Sequence, residues 1–398
     1  MEATKPLTRR TFLAVSAQYG LKAALFASAS VASGVLPGLR EFVVRDAGAQ
    51  AAAKYKIRFG ASVIAPANEP HLRTGLYEFV KLVEQNSGGE VSIQVIDKSQ
   101  ACAEAACGDR VVNGVLEMGS SSPQNLGAVF PYTVALDWPF LWADRTGYHN
   151  FLFSPESNKI YRDVLRRAYG IVPLYGSGEM RNVMMGLKYS DRPPITSPAG
   201  LAGAKIRITN SEMIANFAKS MKMNPIPLAW TELLEGLKSG VVDAAETWPG
   251  AATGFGMHTV LAQDVAVGFS PGFELVFISA KVFDRLPDKI KLDLLEAAAK
   301  AMEFGYRGVA EAQNAQIGNG TQPLPESAYA KSKIRHVKLT GPQLAEFKTL
   351  GSVERNPGLY SETRAKLDKI AGFDVYGALK DFQARGAGKP LQPGKWWT

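Results

Sequence analysis

Histidine and cysteine are scarce in this chain, four and two among 398 residues. His71, His149, His258 and His336 offer no H-x-x-x-H spacing, and the cysteines form no CxxC, so a zinc enzyme or a structural zinc site lacks its ligand set. The sequence has no GxSxG elbow, no phosphate-binding GxxxxGK[ST] loop and no convincing GxGxxG. These gaps remove the usual marks of a serine hydrolase, a nucleotide hydrolase and a nicotinamide dehydrogenase. Internal repeats and low-complexity tracts are absent too. The formal charge of +8 is spread thinly, and the first 49 residues carry a surplus of three: Lys5, Arg9, Arg10, Lys22, Arg40 and Arg45 against Glu2, Glu41 and Asp46. The remaining +5 forms no dense basic stripe, so nucleic acid is not an expected partner.

What is present begins with "TRRTFL" at 8–13, followed by a stretch rich in Ala, Ser and Gly. Paired arginines ahead of a moderately apolar segment form the twin-arginine export pattern. A membrane anchor is the alternative, but Gln18, Gly20 and Lys22 interrupt the run of about 20 apolar residues that a span needs. Cleavage is expected after Ala47–Ala49, with Ala51–Ala53 as a second A-x-A site, so the mature chain would begin near Gln50 in the periplasm. In that oxidising compartment Cys102 and Cys107 are expected to pair. Two free thiols are the alternative, because residues five apart do not share a helical face. A disulfide therefore requires a loop or irregular turn there, which it would stiffen locally.

At 46% hydrophobic and 21% charged residues, the mature chain has the composition and length of two ordinary domains. "YKIRFGASV" alternates as a strand, "HLRTGLYEFVKLVEQNS" carries helical spacing through Leu72, Leu76, Phe79, Val80 and Val83 before a Gly-Gly stop, and "EVSIQVI" is a second strand. This βαβ opening predicts an α/β fold with a mainly parallel sheet. The Pro-rich "SDRPPITSPAGLAG" separates that material from a second series: strand "AKIRIT", helix "SEMIANFAKSM", strand and loop "NPIPLAW", helix "TELLEGLKSG", and strand "VVDAAETWP". Two such units in series imply a cleft. From 280 onward a long helical stretch is broken only at "LP", and the tail from 386 reads as loop, with Trp396 and Trp397 able to dock.

The segment 197–249 resembles the substrate-binding proteins of TRAP transporters, the DctP-like family. "GLAGAKIR" matches the family's "DLKG-KIR", and "PIPLAWTELLEGLKSGVVDAAE" matches "P-P-E-AL-G-VD--E". Upstream, "LDWPFLW" stands for "LDLPFLF" and "RVVNGVLEMGSSS" for "--GVLEMG". The order and spacing hold over roughly residues 55–320. Departures are Gly200 in place of the aspartate, Thr247 and Trp248 after the glutamate, and a longer segment after about 325. The resemblance implies a periplasmic-binding-protein-like fold of two α/β domains joined by hinge strands, with a long helix across both and one organic acid bound between them. The boundaries we expect are 54–178 with about 265–305 for the first domain, 179–264 with about 306–380 for the second, and a tail at 381–398. The implied partner is a TRAP membrane permease driven by an ion gradient. A monomer is expected, with a dimer as the alternative.

On "KIRIT", Ile206 and Ile208 face one way and Lys205, Arg207 and Thr209 the other. The resemblance makes Arg207 the clamp for the ligand carboxylate, which suits a guanidinium able to donate two parallel hydrogen bonds; a structural ion pair is the alternative. Arg181 falls at a second family arginine, with a pair to Glu179 or Asp191 as its alternative, and Trp230 falls where the family sets an aromatic against the ligand. Glu246, Thr247 and Trp248 follow a strand into a cleft loop, where Glu246 would orient Arg207 or help hold a cation. Ser62 and Ser122 fall at contact positions of the first domain. No metal site and no cofactor is expected. Thr247, Trp248 and Trp230 make an apolar or aromatic carboxylate as good a ligand as a small dicarboxylate. A binding receptor with no catalytic step is the leading reading. An exported enzyme with a Glu179/Glu246 acid–base pair, or a signalling receptor, is the rival.

Overall fold

The computed structural model describes residues 53–61, 75–317 and 325–398. The proposed leader and Ser62 lie outside the described residues. The chain divides into two compact units, a small one of the residues up to Ile57 with Val83–Gln94, and a large one of Arg58–Leu82 with everything from Val95 onward.

In the small unit, strand β1 (Tyr55–Ala61) begins, helix Leu76–Asn86 ends and β2 (Val91–Ile96) starts. Gly88 and Gly89 turn the chain with φ of 61° and 84°, a conformation that favours glycine. The Tyr55 amide donates to the Glu90 carbonyl at 2.9 Å, and the Val91 amide to Ser87 Oγ at 3.2 Å.

The large unit is built on one mixed sheet of β3 (Met118–Ser121), β4 (Ile171–Gly186), β5 (Lys205–Ile208), β6 (Asn224–Pro227), β7 (Ala244–Thr247), β8 (Leu261–Ser279) and β9 (Arg335–Val337). From the end of β1 the order runs β1-β3-β8-β4-β7-β5-β6, with β9 beside β8. The outer pairs β1·β3, β7·β5 and β5·β6 are parallel as the βαβ pattern predicts. The centre departs from a mainly parallel sheet, because β3·β8, β8·β4 and β4·β7 are antiparallel. β4 and β8 are 16 and 19 residues long, buried along nearly their whole length, as strands covered on both faces are.

These two long strands change partners along the way. The first part of β4 pairs with the second part of β8, which also carries β3; the last part of β4 pairs with the start of β8 and with β7. Between the two, residues 266–269 of β8 stand opposite Asn182 alone. Gly268 takes a φ of 57° in this bulge and its amide donates to Asn182 Oδ1 at 3.1 Å. Phe269, at the end of the bulge, stacks on Phe217 with centroids 3.9 Å apart, inside a core shared with Val183, Ile206 and Ile208. The 29-residue helix Asp288–Gln316 follows the short helix Ala280–Arg285, broken at "LP" as the sequence indicates. The last helix, Val375–Gly386, runs into the segment read as a tail, and Trp396 is buried with the Arg162 guanidinium 4.2 Å from its ring centre.

Candidate functional site

The register break in β4 falls at Arg181, and Arg207 reaches the same place from β5. The alternation of "KIRI" explains the second: with Ile206 and Ile208 in the core cluster, Arg207 must leave through the other face. Both side chains are nonetheless buried, 2% and 1% exposed.

Glu246 of β7 lies between them. One carboxylate oxygen takes Arg181 Nη1; the other takes Arg207 Nη1 at 3.4 Å and the Thr209 amide at 3.2 Å. One buried carboxylate thus serves two guanidinium groups and leaves a net positive end. Burial pushes the pKa of Arg207 below its ordinary value, and Glu246 opposes that shift.

The two arginines differ in what they have left. Arg181 donates through Nε to the Pro271 carbonyl at 3.3 Å and through Nη2 to Gln124 Oε1 at 2.8 Å, with its guanidinium 4.9 Å from the Trp248 ring centre. Gln124 in turn donates to Asp137 Oδ1 at 2.6 Å, and burial raises the Asp137 carboxyl to about 7. Arg207 donates through Nε to the Leu228 carbonyl at 2.9 Å and lies 5.4 Å from the Trp230 ring centre, but its Nη2 has no partner among the described residues. A buried donor left unmatched costs about 1–3 kcal/mol. An acceptor brought in by a ligand would recover that energy.

A pocket opens in front of Arg207. Arg181, Arg207, Thr209, Trp230, Trp248, Ala251 and Phe255 line it, together with Glu104, Ser122, Asn125 and Glu274. Trp230 and Phe255 meet edge to face at 5.3 Å and give it an apolar wall. A wider groove of about 930 Å³ shares Thr209 with the pocket.

The Cys102–Cys107 disulfide is formed, around an irregular turn at Glu104–Ala106. That turn presents Glu104, whose carboxylate accepts from the Ser122 amide at 3.1 Å and from Asn125 Nδ2 at 2.7 Å. Ser122 caps helix Pro123–Leu126 through its hydroxyl. Glu274, on β8, accepts from Ser120 Oγ at 3.0 Å.

Of the residues singled out in the sequence, Arg181, Arg207, Trp230, Trp248 and Ser122 line the pocket. Glu246 stands behind the arginines, in the orienting position, and Thr247 is buried opposite Asn182, off the pocket wall. Arg181 pairs with Glu246, not with Glu179 or Asp191. Glu179 accepts from the Gly250 amide at 2.9 Å and from Gln313 Nε2 at 2.6 Å, tying β4 to helices Pro249–Gly254 and Asp288–Gln316. It does not line the pocket, so the structure does not join Glu179 and Glu246 as an acid–base pair. Sequence reasoning missed Glu104, Gln124, Asn125, Thr209 and Glu274. Only Thr209 carried a signal, its place on the Arg207 face of the strand.

Comparison with known proteins identifies the family. The family described as bacterial extracellular solute-binding protein, family 7 (DctP) matches residues 61–349. The 2,3-diketo-L-gulonate-binding periplasmic protein of Escherichia coli is 26% identical over 70% of this chain and 80% of its own length. The C4-dicarboxylate-binding periplasmic protein of Rhodobacter capsulatus is 24% identical over 60% and 70%. Among solved structures, a TRAP periplasmic solute binding protein of Shewanella oneidensis with bound succinate superposes with a TM-score of 0.67, at 18% identity over 83% of this chain and 100% of the other. One from Roseobacter denitrificans with bound β-D-glucuronate gives 0.65, at 21% identity over 81% and 98%. These likenesses show a shared fold, and the family match spans most of the described chain. With motif order, fold and pocket in agreement, the chain belongs to the DctP family of bacterial extracellular solute-binding proteins.

Proposed function

We propose that this protein is the periplasmic receptor of a TRAP-type transporter, exported through its twin-arginine leader, and that it captures an organic acid without transforming it. The observation that carries this reading is the buried Nη2 of the pocket-lining Arg207, without a partner among the described residues, with Glu246 holding the guanidinium in place. A ligand carboxylate completes that donor set as a charge-assisted hydrogen bond.

The names of relatives support the ligand class: a diketo sugar acid and C4-dicarboxylates for two of them, succinate and glucuronate in the two solved structures. Trp230, Trp248 and Phe255 would cover the ligand's carbon skeleton. In this reading β4 and β8, which change partners at the Arg181 break, serve as the hinge between a lobe on the β3 side and one on the β5–β7 side. Ligand bound to both lobes favours the closed form by its differential affinity, and the permease would recognise that form. Among the described residues no helix is long and apolar enough to cross a membrane.

Thermal unfolding of the purified protein against keto, aromatic, dicarboxylic and sugar acids tests the proposal. A ligand at about 100 times its Kd adds roughly 2.7 kcal/mol, a readily visible shift. The bound compound should be recovered chemically intact. No shift with any acid, and none released on denaturation, would overturn it.

A further inference from the structure

We infer that Glu179 is a positioning residue for this pocket: its carboxylate seats helix Pro249–Gly254, and gaining a proton loosens that seat and weakens ligand binding. This rests on the receptor reading above and adds a regulation of its site.

The helix has no cap of its own. Trp248 at its N-cap makes no side-chain cap hydrogen bond, and Pro249 has no amide hydrogen, so the Gly250 amide is the first donor in need of a partner. Glu179 supplies it from β4 at 2.9 Å, and its other oxygen takes Gln313 Nε2 of helix Asp288–Gln316 at 2.6 Å. At 1% exposure, the carboxylate has these donors in place of water.

The seated helix carries a wall of the pocket. Trp248 at one end, Ala251 in the first turn and Phe255 at the other end all line it. Trp248 lies 4.9 Å from the Arg181 guanidinium, and Phe255 meets Trp230 at 5.3 Å. A shift of the helix therefore moves two aromatic faces against an arginine and a tryptophan of the same pocket.

An ionised carboxylate only accepts, which suits two N–H donors. A protonated one turns one oxygen into a donor and gives up the charge that strengthens both bonds. Burial raises the Glu179 carboxyl to about 7, against the Gln313 and Gly250 hydrogen bonds, which favour the ionised form. Arg145, of helix Arg145–Phe153, also favours ionisation, and Asp264 of β8 opposes it. Asp264 in turn accepts from Asn182 and Tyr329 and lies 2.8 Å from His336 Nδ1. The phenols of Tyr148 and Tyr329 feel the Glu179 charge too, and burial pushes both up, out of the neutral range.

Labelling the tryptophan indoles with nitrogen-15 reads the wall by NMR without ligand. The chain has six tryptophans, and Trp248→Phe assigns the signal. In the native protein the Trp248 indole signal should move with an inflection near pH 7, and in Glu179→Gln that step should vanish. Gln313→Leu serves if Glu179→Gln does not fold: it removes a bond that favours the ionised form, so the step should move to higher pH. Calorimetric titration then uses succinate, glucuronate and any other acid that raises the Tm. In the native protein, affinity should be about fivefold or more higher at about pH 8 than at about pH 6, the lower end of ordinary coupling between sites. That difference should shrink in Glu179→Gln. Asp137 is present in both proteins, so comparing them isolates Glu179.

No indole step in the native protein, or one unchanged in the folded variants, overturns this inference and leaves the receptor reading standing. So does an affinity whose pH dependence is the same in native and variant protein. Failure of every acid to bind, with none released on denaturation, overturns the receptor reading, and the indole signal then decides alone whether Glu179 seats the wall.

Discussion

The Glu246 carboxylate is shared by Arg181 and Arg207, one oxygen to each. Arg181 is thereby fully committed to protein partners, while Arg207 is held in place with one nitrogen still open. The two arginines are alike in burial and differ in role for this reason.

Glu246→Gln keeps the shape and removes the charge that separates two buried guanidinium groups. Breaking a buried ion pair of this kind costs about 3–5 kcal/mol. Urea unfolding should show that loss in the ligand-free protein and a smaller one at saturating organic acid, whose carboxylate restores a negative charge beside Arg207. Equal losses in both conditions would mean that Glu246 and the ligand do not share the arginine.

Arg207→Ala should weaken binding of the preferred acid by about 2–5 kcal/mol, the usual cost of removing one side of a buried charge-assisted contact. Arg207→Lys keeps the charge but loses the planar fork and should fall between the two. Titration calorimetry on the folded variants is the check, and unchanged affinity in Arg207→Ala would remove the carboxylate clamp.

Asp137 predicts a pH dependence of stability. Burial holds its carboxyl at about 7 in the folded chain against an ordinary 3.8. Between those values the folded protein keeps a proton that the unfolded chain has released, so this contribution is fullest below about 4 and is lost as the pH rises to 7. Asp137→Asn keeps the acceptor for Gln124 and does not titrate. The Tm of the variant minus that of the native protein should therefore rise from pH 4 to pH 7 and level off above. A flat difference would mean that the carboxyl titrates at its ordinary value.

Gly272 gives a steric prediction. A Cβ there would stand inside contact distance of the Trp248 ring and 3.0 Å from Arg181 Cγ. Gly272→Ala must push both pocket residues, at about 1–3 kcal/mol for an overpacked site. Ligand affinity should fall by more than in Gly200→Ala, whose nearest neighbours are atoms of Ile195. Comparable affinities in the two variants would show that the Trp248 and Arg181 positions tolerate displacement.

Much of this was legible in the chain itself. Strands with strict alternation, such as "KIRI", stand where the pattern put them, and the helix with the Gly88–Gly89 stop ends where expected at Asn86; it starts at Leu76, after Gly75 with a φ of 62°, while Leu72 lies outside the described residues. β4 and β8 were not legible as single long strands, because Gly176, Gly178, Gly268, Pro271 and Gly272 interrupt the apolar runs. In the folded chain those positions serve the pairing: a Cβ on Gly178 would strike the Gly272 carbonyl, so glycine there permits close approach of the two backbones.

The sequence by itself determined the shorter elements, the family, the cysteine pair and the two arginines, since each is a matter of local period, motif order or residue chemistry. Tertiary structure decided which arginine is open, which carboxylate holds it and which carboxylates face it. Glu104, Glu246 and Glu274 are 142 and 28 residues apart along the chain. Tertiary packing alone sets Glu104 and Glu274 on the pocket wall and Glu246 behind it, and gives each a different partner.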